Sequence, residues 1–227
     1  MRTFEGALLA VSMGLMPLSV AAGDPVPRYD PLRAGEVRPA GWLREQMRLD
    51  LRDGITGHYE QISDNVNGRL FATRSRRAGT MVVGNRGLKE KAWWAGEHEG
   101  YWKDSIVRMA FLAGDGALQA RARGWMEEIL AAQEKDGYIG IYTADTRFPA
   151  RGFDGELWTQ SRIFQAMLAY HEFTGDPRVL DAVERAVQCT LAAHRDRTYF
   201  HRPEPDGGVA HGIGLMDTLE WLVRRTG

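Results

Sequence analysis

Ten residues, Gly96–Ser105 (GEHEGYWKDS), hold the densest set of chemically useful side chains in the 227-residue sequence. They include two glutamates, a histidine, a tyrosine, a tryptophan and an aspartate. Carboxylates and imidazoles are common general acids and bases, and aromatic rings beside them are common in binding pockets. The segment allows three interpretations: an active site, one wall of a pocket, or a polar helix start.

Helical spacing places Glu97, Tyr101, Asp104 and Arg108 along one stripe of a helix, beside the apolar stripe that includes Trp102. Asp104 and Arg108 are four residues apart and can form an ion pair, and acidic residues near a helix start favour the helix dipole. For any single residue, a structural role is therefore the preferred interpretation.

The elements that must position these residues are helices. Apolar residues recur at helical spacing over 39–53, 101–113, 118–129, 158–174, 176–191 and 214–225. His58–Leu88 is rich in Gly, Asn and Arg and is predicted to be an extended loop, whereas 135–142 (KDGYIGIY) allows a short strand or a turn. The predicted class is mainly α.

An internal repeat joins these helices into pairs. RMAFLAGDGAL, MLAYHEFTGDPRVL and LEWLVRRTG each end a helix at a glycine, and the first two continue with Asp and a second helix. The closing glycines, Gly114, Gly175 and Gly227, are 61 and 52 residues apart, which suits a helical hairpin with its loops. Such hairpins closed into a ring form an α/α toroid, and the third copy stops before its second helix. We therefore expect an incomplete toroid in a truncated chain.

Alignment on the closing glycines places three helix starts at equivalent positions. His98 and His211 each lie 16 residues before their glycine, and Asp104 and Asp217 each lie 10 before theirs. Equivalent helices in a ring point the same way, so the three starts should share one rim. Aromatic faces beside carboxylates and histidines suit a carbohydrate, whose hydroxyls need donors and acceptors. The predicted substrate-binding residues are His98, Tyr101, Trp102, Asp104, Trp158, Gln160, Arg162 and His211.

Composition excludes several other functions. The formal net charge is −1, with dispersed Lys and Arg, which gives no basis for binding nucleic acid. No GxSxG elbow, P-loop or HExxH motif is present, and the single cysteine, Cys189, lies in an apolar helical pattern that predicts a buried, inert thiol.

The N-terminus has the pattern of an export signal. Arg2 precedes an apolar run over 7–20, and small residues follow at the spacing of a cleavage site. We expect residues 1–22 to be a signal peptide, residues 23–227 to be the N-terminal portion of a catalytic domain, and the protein to be secreted or periplasmic. The run is shorter than the ~20 residues of a spanning helix, so no membrane partner is expected after cleavage.

Four segments resemble the β-L-arabinofuranosidase family of glycoside hydrolases, family 127 and its relatives. AAQEKDGYIGIY resembles its Q-x-x-DGYL-x-x-Y element, and GELWTQSRIFQAMLAYHEFTGDPRVLD resembles ELY-x-x-GH-x-x-x-A-x-x-x-x-x-x-TG-x-x-x-LL. AHGIGLMDTLEWLVRRTG resembles HGVN-x-A-x-x-x-K-x-x-x-x-x-x-x-TGD, and GYWKDSIVRMAF stands where the family has a KWLEA-like helix. The resemblance runs from about Trp42 to the C-terminus.

The resemblance implies an (α/α)6 barrel of a six-hairpin glycosidase that hydrolyses an arabinofuranosyl or similar bond. It also implies a cysteine nucleophile in a zinc site and a glutamate acid/base, in motifs downstream of the HGVN helix and so beyond Gly227. No catalytic residue and no cofactor is then expected within this chain; zinc belongs to the full-length protein. His211 is implied to contact the sugar, whereas Ser161 and Arg162 replace the family's GH, and Gly214 replaces its Asn.

Those replacements keep other substrates open, including a uronic acid that Arg162 would bind. One alternative is a uronyl hydrolase-like toroid glycosidase with Asp104, Glu97 and Glu156 as catalytic carboxylates. Another is a non-catalytic sugar-binding or scaffold protein of helix pairs. The sequence leaves the sugar, the linkage and the oligomeric state open.

Overall fold

A computed structural model describes residues 31–63, 66, 69–72, 93–144, 147–148, 155–195 and 212–227. These residues form seven helices, which we number α1 (Gly41–Asp53), α2 (Ile55–Ile62), α3 (Trp93–Ala113), α4 (Gly116–Ala132), α5 (Glu156–Thr174), α6 (Pro177–Ala193) and α7 (Leu215–Thr226). No strand occurs in the described residues, and 135–142 is a turn followed by irregular backbone. The predicted mainly α class is confirmed.

Local sequence explains where the hairpins turn. α3 and α5 end at Gly114 and Gly175, whose φ angles of 75° and 72° lie in the left-handed region that glycine adopts without strain. The next helices start on aspartates: Asp115 accepts a hydrogen bond from the Leu118 amide, and Asp176 accepts one from the Arg178 amide. The Gly-Asp pair is therefore a stop signal followed directly by a start signal.

Two boundaries differ from the sequence prediction. α2 occupies Ile55–Ile62, part of which falls in the segment predicted to be a loop. α3 is already helical at Trp93, so Gly96–Ser105 lies inside the helix and is not its start. The glycines at 96 and 100 weakened the helical pattern because isolated glycines lower helix propensity.

α3, α5 and α7 form a row of parallel neighbours. Across the α3–α5 contact, Gly100 lies against Arg162 near the start of both helices, and Phe111 stacks on Phe173 near their ends, with ring centroids 4.9 Å apart. Across the α5–α7 contact, Glu172 accepts a hydrogen bond from the Trp221 indole at 2.9 Å. The three repeats thus place equivalent helices side by side, pointing the same way.

α1, α4 and α6 run antiparallel to this row and cover one side of it. Trp102 of α3 packs on Trp125 of α4 at 4.9 Å, and Gln160 of α5 meets Thr190 of α6. α1 contacts α3, where Arg44 reaches the Ala113 carbonyl, and α4 contacts α6. An inner row backed by outer helices is consistent with part of an α/α toroid.

Three glycines let the inner helices approach closely. A Cβ atom at Gly96 would lie 3.1 Å from Thr159 Cγ2, and one at Gly100 would lie 2.6 Å from Arg162 Cβ. On the other side of α5, a Cβ atom at Gly214 would lie 2.7 Å from the Trp158 ring. The segment GEHEG therefore has a packing role. Its two glycines, Gly96 and Gly100, lie four residues apart on the face of α3 that packs against α5.

A strap formed by residues 33–36 closes the opposite end of the row. Glu172 Oε2 accepts a hydrogen bond from the Ala34 amide at 2.8 Å, while Glu172 Oε1 binds the Trp221 indole and lies 3.7 Å from Arg225. Gly35 turns beside Phe173 with a φ angle of 90°. One carboxylate thereby ties together the strap, α5 and α7.

Four further predictions concern the N-terminal segment, His211, Cys189 and the membrane. The signal peptide 1–22 and His211 lie outside the described residues. Cys189, predicted to be buried, is only half-buried on α6; burial raises the pKa of its thiol, which disfavours the nucleophilic thiolate. Among the described helices, none combines the length and apolarity needed to cross a membrane.

Candidate functional site

The inner row presents a polar and aromatic surface on the side that the outer helices do not cover. It is formed by Tyr101 and Asp104 of α3, Trp158 and Arg162 of α5, and Asp217 of α7, and we call it the inner-face cluster. Tyr101 is 41% exposed. Four of these residues were predicted to bind substrate, and the structure brings those four together.

Arg162 is the centre of this cluster. Its guanidinium carbon lies 4.6 Å from the Trp158 ring and 5.2 Å from the Tyr101 ring, within the range of cation–π contacts. Its Nε donates to Ser161 Oγ at 3.1 Å, and its Nη2 lies 3.5 Å from the Gly214 carbonyl. The side chain therefore touches all three inner helices.

Asp104 is held in place by the next turn of its own helix. Arg108 Nε donates to both Asp104 oxygens, at 2.8 and 3.0 Å, so the ion pair allowed by the sequence is present. Burial raises the pKa of the Asp104 carboxyl above its ordinary value. The positive charges of Arg108 and, to a smaller extent, Arg162 lower this pKa but do not cancel the effect of burial. The Asp104 side chain is 21% exposed, so its oxygens remain able to accept hydrogen bonds from hydroxyl groups.

The repeat explains why these residues meet. Tyr101, Arg162 and Gly214 each lie 13 residues before their closing glycine, and they form one contact line across the three helices. One turn further on, Asp104, Gln165 and Asp217 share the position 10 residues before the glycine. Gln165 donates to Asp217 at 3.2 Å. Equivalent positions thus build two adjacent layers of the cluster.

Two other predicted binding residues face the protein interior. Trp102 is 3% exposed, donates to the Thr56 carbonyl at 2.8 Å and packs on Trp125. Gln160 is fully buried and bonds to Ile139 and Thr190. Both side chains contact buried protein groups and lie apart from the inner-face cluster.

His98 and Glu97 are partly buried on α3, and the His98 ring centroid lies 6.5 Å from that of Tyr59. Glu156, a carboxylate candidate of the alternative mechanism, is 1% exposed. It accepts hydrogen bonds from the Tyr138 hydroxyl at 2.6 Å and from the Phe148 amide. Its carboxylate therefore holds the segment that precedes α5.

A buried ion pair anchors the segment that lies before α3. Glu99 Oε1 accepts a hydrogen bond from the Leu70 amide at 2.9 Å and lies 3.3 Å from Lys103 Nζ. Lys103 lies 4.2 Å from the Trp125 ring centroid, and its side chain is 1% exposed. Burial lowers the pKa of Lys103, against the opposing influence of Glu99. We call Glu99 and Lys103 the ionic anchor.

Gln160 occupies the equivalent position in the next repeat, 15 residues before its closing glycine, as Glu99 is before its own. Its Nε2 donates to the Ile139 carbonyl at 2.9 Å, and its Oε1 accepts from Thr190 at 3.1 Å. We call Gln160 and Thr190 the neutral anchor. Each anchor fixes the chain segment that leads toward its inner helix.

Three residues that complete these arrangements are not among the predicted site residues. Lys103 is one of them, although its position four residues after Glu99 and beside Trp102 is a signal of a buried pair. Gln165 and Asp217, the other two, occupy the same position of the repeat as Asp104. A residue's distance in sequence from its closing glycine therefore indicates its place in the inner-face cluster better than its residue type does.

The family resemblance implies a zinc site held by cysteines and a glutamate. The described residues contain no group of three His, Cys, Asp or Glu side chains placed to hold a metal ion. Cys189 lies on the outer side, in a groove of about 770 Å³ between α6 and α7. The described residues therefore do not fit the zinc site that the resemblance implies.

A search of curated proteins finds no significant match. A family model described as the GH127 catalytic domain of β-L-arabinofuranosidase matches residues 39–227, which include all seven helices and the inner-face cluster. The chain therefore belongs to the GH127 β-L-arabinofuranosidase catalytic-domain family of glycoside hydrolases.

Proposed function

We propose that this chain supplies a substrate-binding wall of an exported glycoside hydrolase that acts on arabinofuranosyl or related sugar linkages. The family assignment over residues 39–227 is the observation that carries this proposal. The inner-face cluster supports it, because it combines aromatic rings with hydrogen-bonding groups on one partly exposed surface.

The described residues suit binding and orientation. Trp158 and Tyr101 offer ring faces to sugar C–H groups, and Asp104 and Asp217 offer hydroxyl acceptors. Arg162 fixes the distance between these groups by contacting all three helices. Because the family's nucleophile and acid/base are expected in motifs that follow the HGVN helix, we propose that residues 1–227 alone bind sugar without cleaving it.

Sugar contact can be tested by saturation transfer difference NMR with L-arabinose, D-galactose and D-glucuronate. We expect transfer to at least one of them. We expect Trp158→Ala to weaken binding about tenfold, by analogy with a nucleobase, whose stacking on one aromatic side chain is worth roughly 1–3 kcal/mol. Trp42→Ala is the matched control, because Trp42 is 80% exposed on α1 and lies outside the cluster. Absence of transfer to all three sugars would overturn the proposal.

Hydrolysis can be tested separately on 4-nitrophenyl β-L-arabinofuranoside. We expect turnover by the protein that carries the downstream motifs and none by residues 1–227 alone. Efficient cleavage by the 227-residue chain would transfer the catalytic role to carboxylates within it and would contradict the binding-wall assignment.

A further inference from the structure

Arg162 is a preorganised donor at the centre of the inner-face cluster. Its side chain is only 10% exposed, and the Trp158 and Tyr101 rings contact its guanidinium group. Ring contacts of this kind restrict the rotamers of a long side chain, so little entropy is lost when a ligand binds. The group is positioned before any ligand arrives.

The hydrogen bonds of Arg162 leave part of its donor fork unused. Nε donates to Ser161, while Nη2 lies at the long distance of 3.5 Å from the Gly214 carbonyl. Nη1 makes no hydrogen bond to any residue within the described part of the chain. A guanidinium has five N–H donors, so several remain available for an acceptor.

Of the two neighbouring carboxylates, Asp104 is bound by Arg108, and Asp217 forms only a long ion pair with Arg162. Asp104 directs both oxygens to Arg108. Asp217 Oδ2 lies 3.8 Å from Nη2, beyond a hydrogen bond, and its side chain is 66% exposed and bound by Gln165. Because the contact is long and the Asp217 side chain is exposed, this ion pair is weak, and a better placed carboxylate can displace Asp217.

We propose that Arg162 binds the carboxylate of a sugar acid, with the sugar ring on the surface formed by Tyr101 and Trp158. A planar guanidinium fork matches a carboxylate in a two-bond geometry that neutral hydroxyls do not reproduce. This inference rests on the proposed sugar-binding function and deepens it, because it names the acidic class of substrate.

The test compares three ligands that share one ring: D-galacturonate, its methyl ester and D-galactose. Isothermal titration calorimetry on the wild-type protein should give at least a tenfold tighter Kd for D-galacturonate than for the other two. The methyl ester keeps the ring and removes the charge, so this comparison needs no variant. Equal affinity for all three would overturn the acid assignment and leave the proposed sugar-binding function standing.

Substitutions test whether Arg162 causes the preference for D-galacturonate. Arg162→Gln should abolish the preference for D-galacturonate, and Arg162→Lys should retain part of it, because a single ammonium cannot form the fork. Arg224→Gln is the control, since it removes an exposed ion pair with Glu220 on α7 and should leave the preference unchanged. A preference that survives in Arg162→Gln contradicts the assignment.

Two further outcomes separate the possible failures. Sodium acetate that competes as well as D-galacturonate at equal ionic strength would reduce the site to a general anion site and overturn the sugar-acid proposal. No binding of any of the three rings would overturn the sugar-binding function itself, and this inference with it.

Discussion

The ionic anchor and the neutral anchor each hold the chain segment that leads toward an inner helix, but one contains an ion pair and the other only neutral hydrogen-bonding groups. Glu99 accepts a hydrogen bond from the Leu70 amide, whereas Gln160, at the equivalent position, donates one to the Ile139 carbonyl. Both side chains are fully buried. The two repeats therefore place an anchoring side chain at the same position, where it holds a loop. The direction of the hydrogen bond is reversed, because Glu99 accepts and Gln160 donates.

The difference has an energetic consequence. Glu99 needs Lys103 as a counter-charge, and Lys103 in turn lies over Trp125. The amide of Gln160 needs no charge partner, so each of its bonds can be lost separately. We therefore expect the ionic anchor to fail as a unit and the neutral anchor to fail one bond at a time.

The largest effect is expected from Glu99→Leu. This change leaves the Lys103 charge buried without its carboxylate and removes the acceptor of the Leu70 amide, a loss of about 3–5 kcal/mol of unfolding free energy. Urea unfolding measures it. The double variant Glu99→Leu/Lys103→Met should recover most of the loss; if it is as unstable as the single variant, the buried charge is not the cause.

A smaller effect is expected from Gln160→Leu. The Ile139 carbonyl loses its donor inside the core, which costs about 1–3 kcal/mol, whereas Thr190 keeps a hydrogen bond to the Ala186 carbonyl. The same urea titration allows direct comparison with Glu99→Leu. A loss equal to or greater than that of Glu99→Leu would contradict the distinction between the anchors.

Thr190→Val should have a still smaller effect, about 0.5–1.5 kcal/mol. It removes the donor to Gln160 Oε1 but leaves the bond from Gln160 Nε2 to Ile139 intact. Thermal unfolding of this variant beside Gln160→Leu gives the contribution of each bond. Equal losses in the two variants would show that the neutral anchor, too, acts as a unit.

The pH dependence of the unfolding free energy also distinguishes the two anchors. Burial holds the folded-state pKa of Lys103 below its ordinary 10.5, so the unfolded chain binds this proton more tightly between those two values. Unfolding free energy should rise with pH across that window through this group. Wild type minus Lys103→Met, measured from pH 7 to 10.5, should show this upward slope, and wild type minus Gln160→Leu should not.

Much of the fold follows from local sequence signals. The Gly-Asp pairs at 114–115 and 175–176 mark the hairpin turns because left-handed glycines end helices and aspartates cap them. The order and direction of the inner helices follow from the repeat. α2 was missed because an eight-residue helix gives too few turns for its apolar spacing to stand out from a loop.

The site was only partly predictable for a related reason. Residue type alone does not say which way a side chain points, so Trp102 and Trp158 were given the same role although Trp102 donates its indole hydrogen to α2. The partnership of Arg162 with Tyr101 and Gly214 depends on how closely three helices approach, which their glycines set. Helix approach is a tertiary property that spacing within one helix does not reveal.

The strap at 33–36 has a consequence for the order of folding. Its hydrogen bond from Ala34 to Glu172 spans 138 residues of sequence, and the same carboxylate also binds Trp221. Contacts of such sequence separation close late, because the intervening chain must first be arranged. Protection of the Ala34 amide from hydrogen exchange should therefore appear only after α5 and α7 have packed together. This single amide reports when the inner row has assembled.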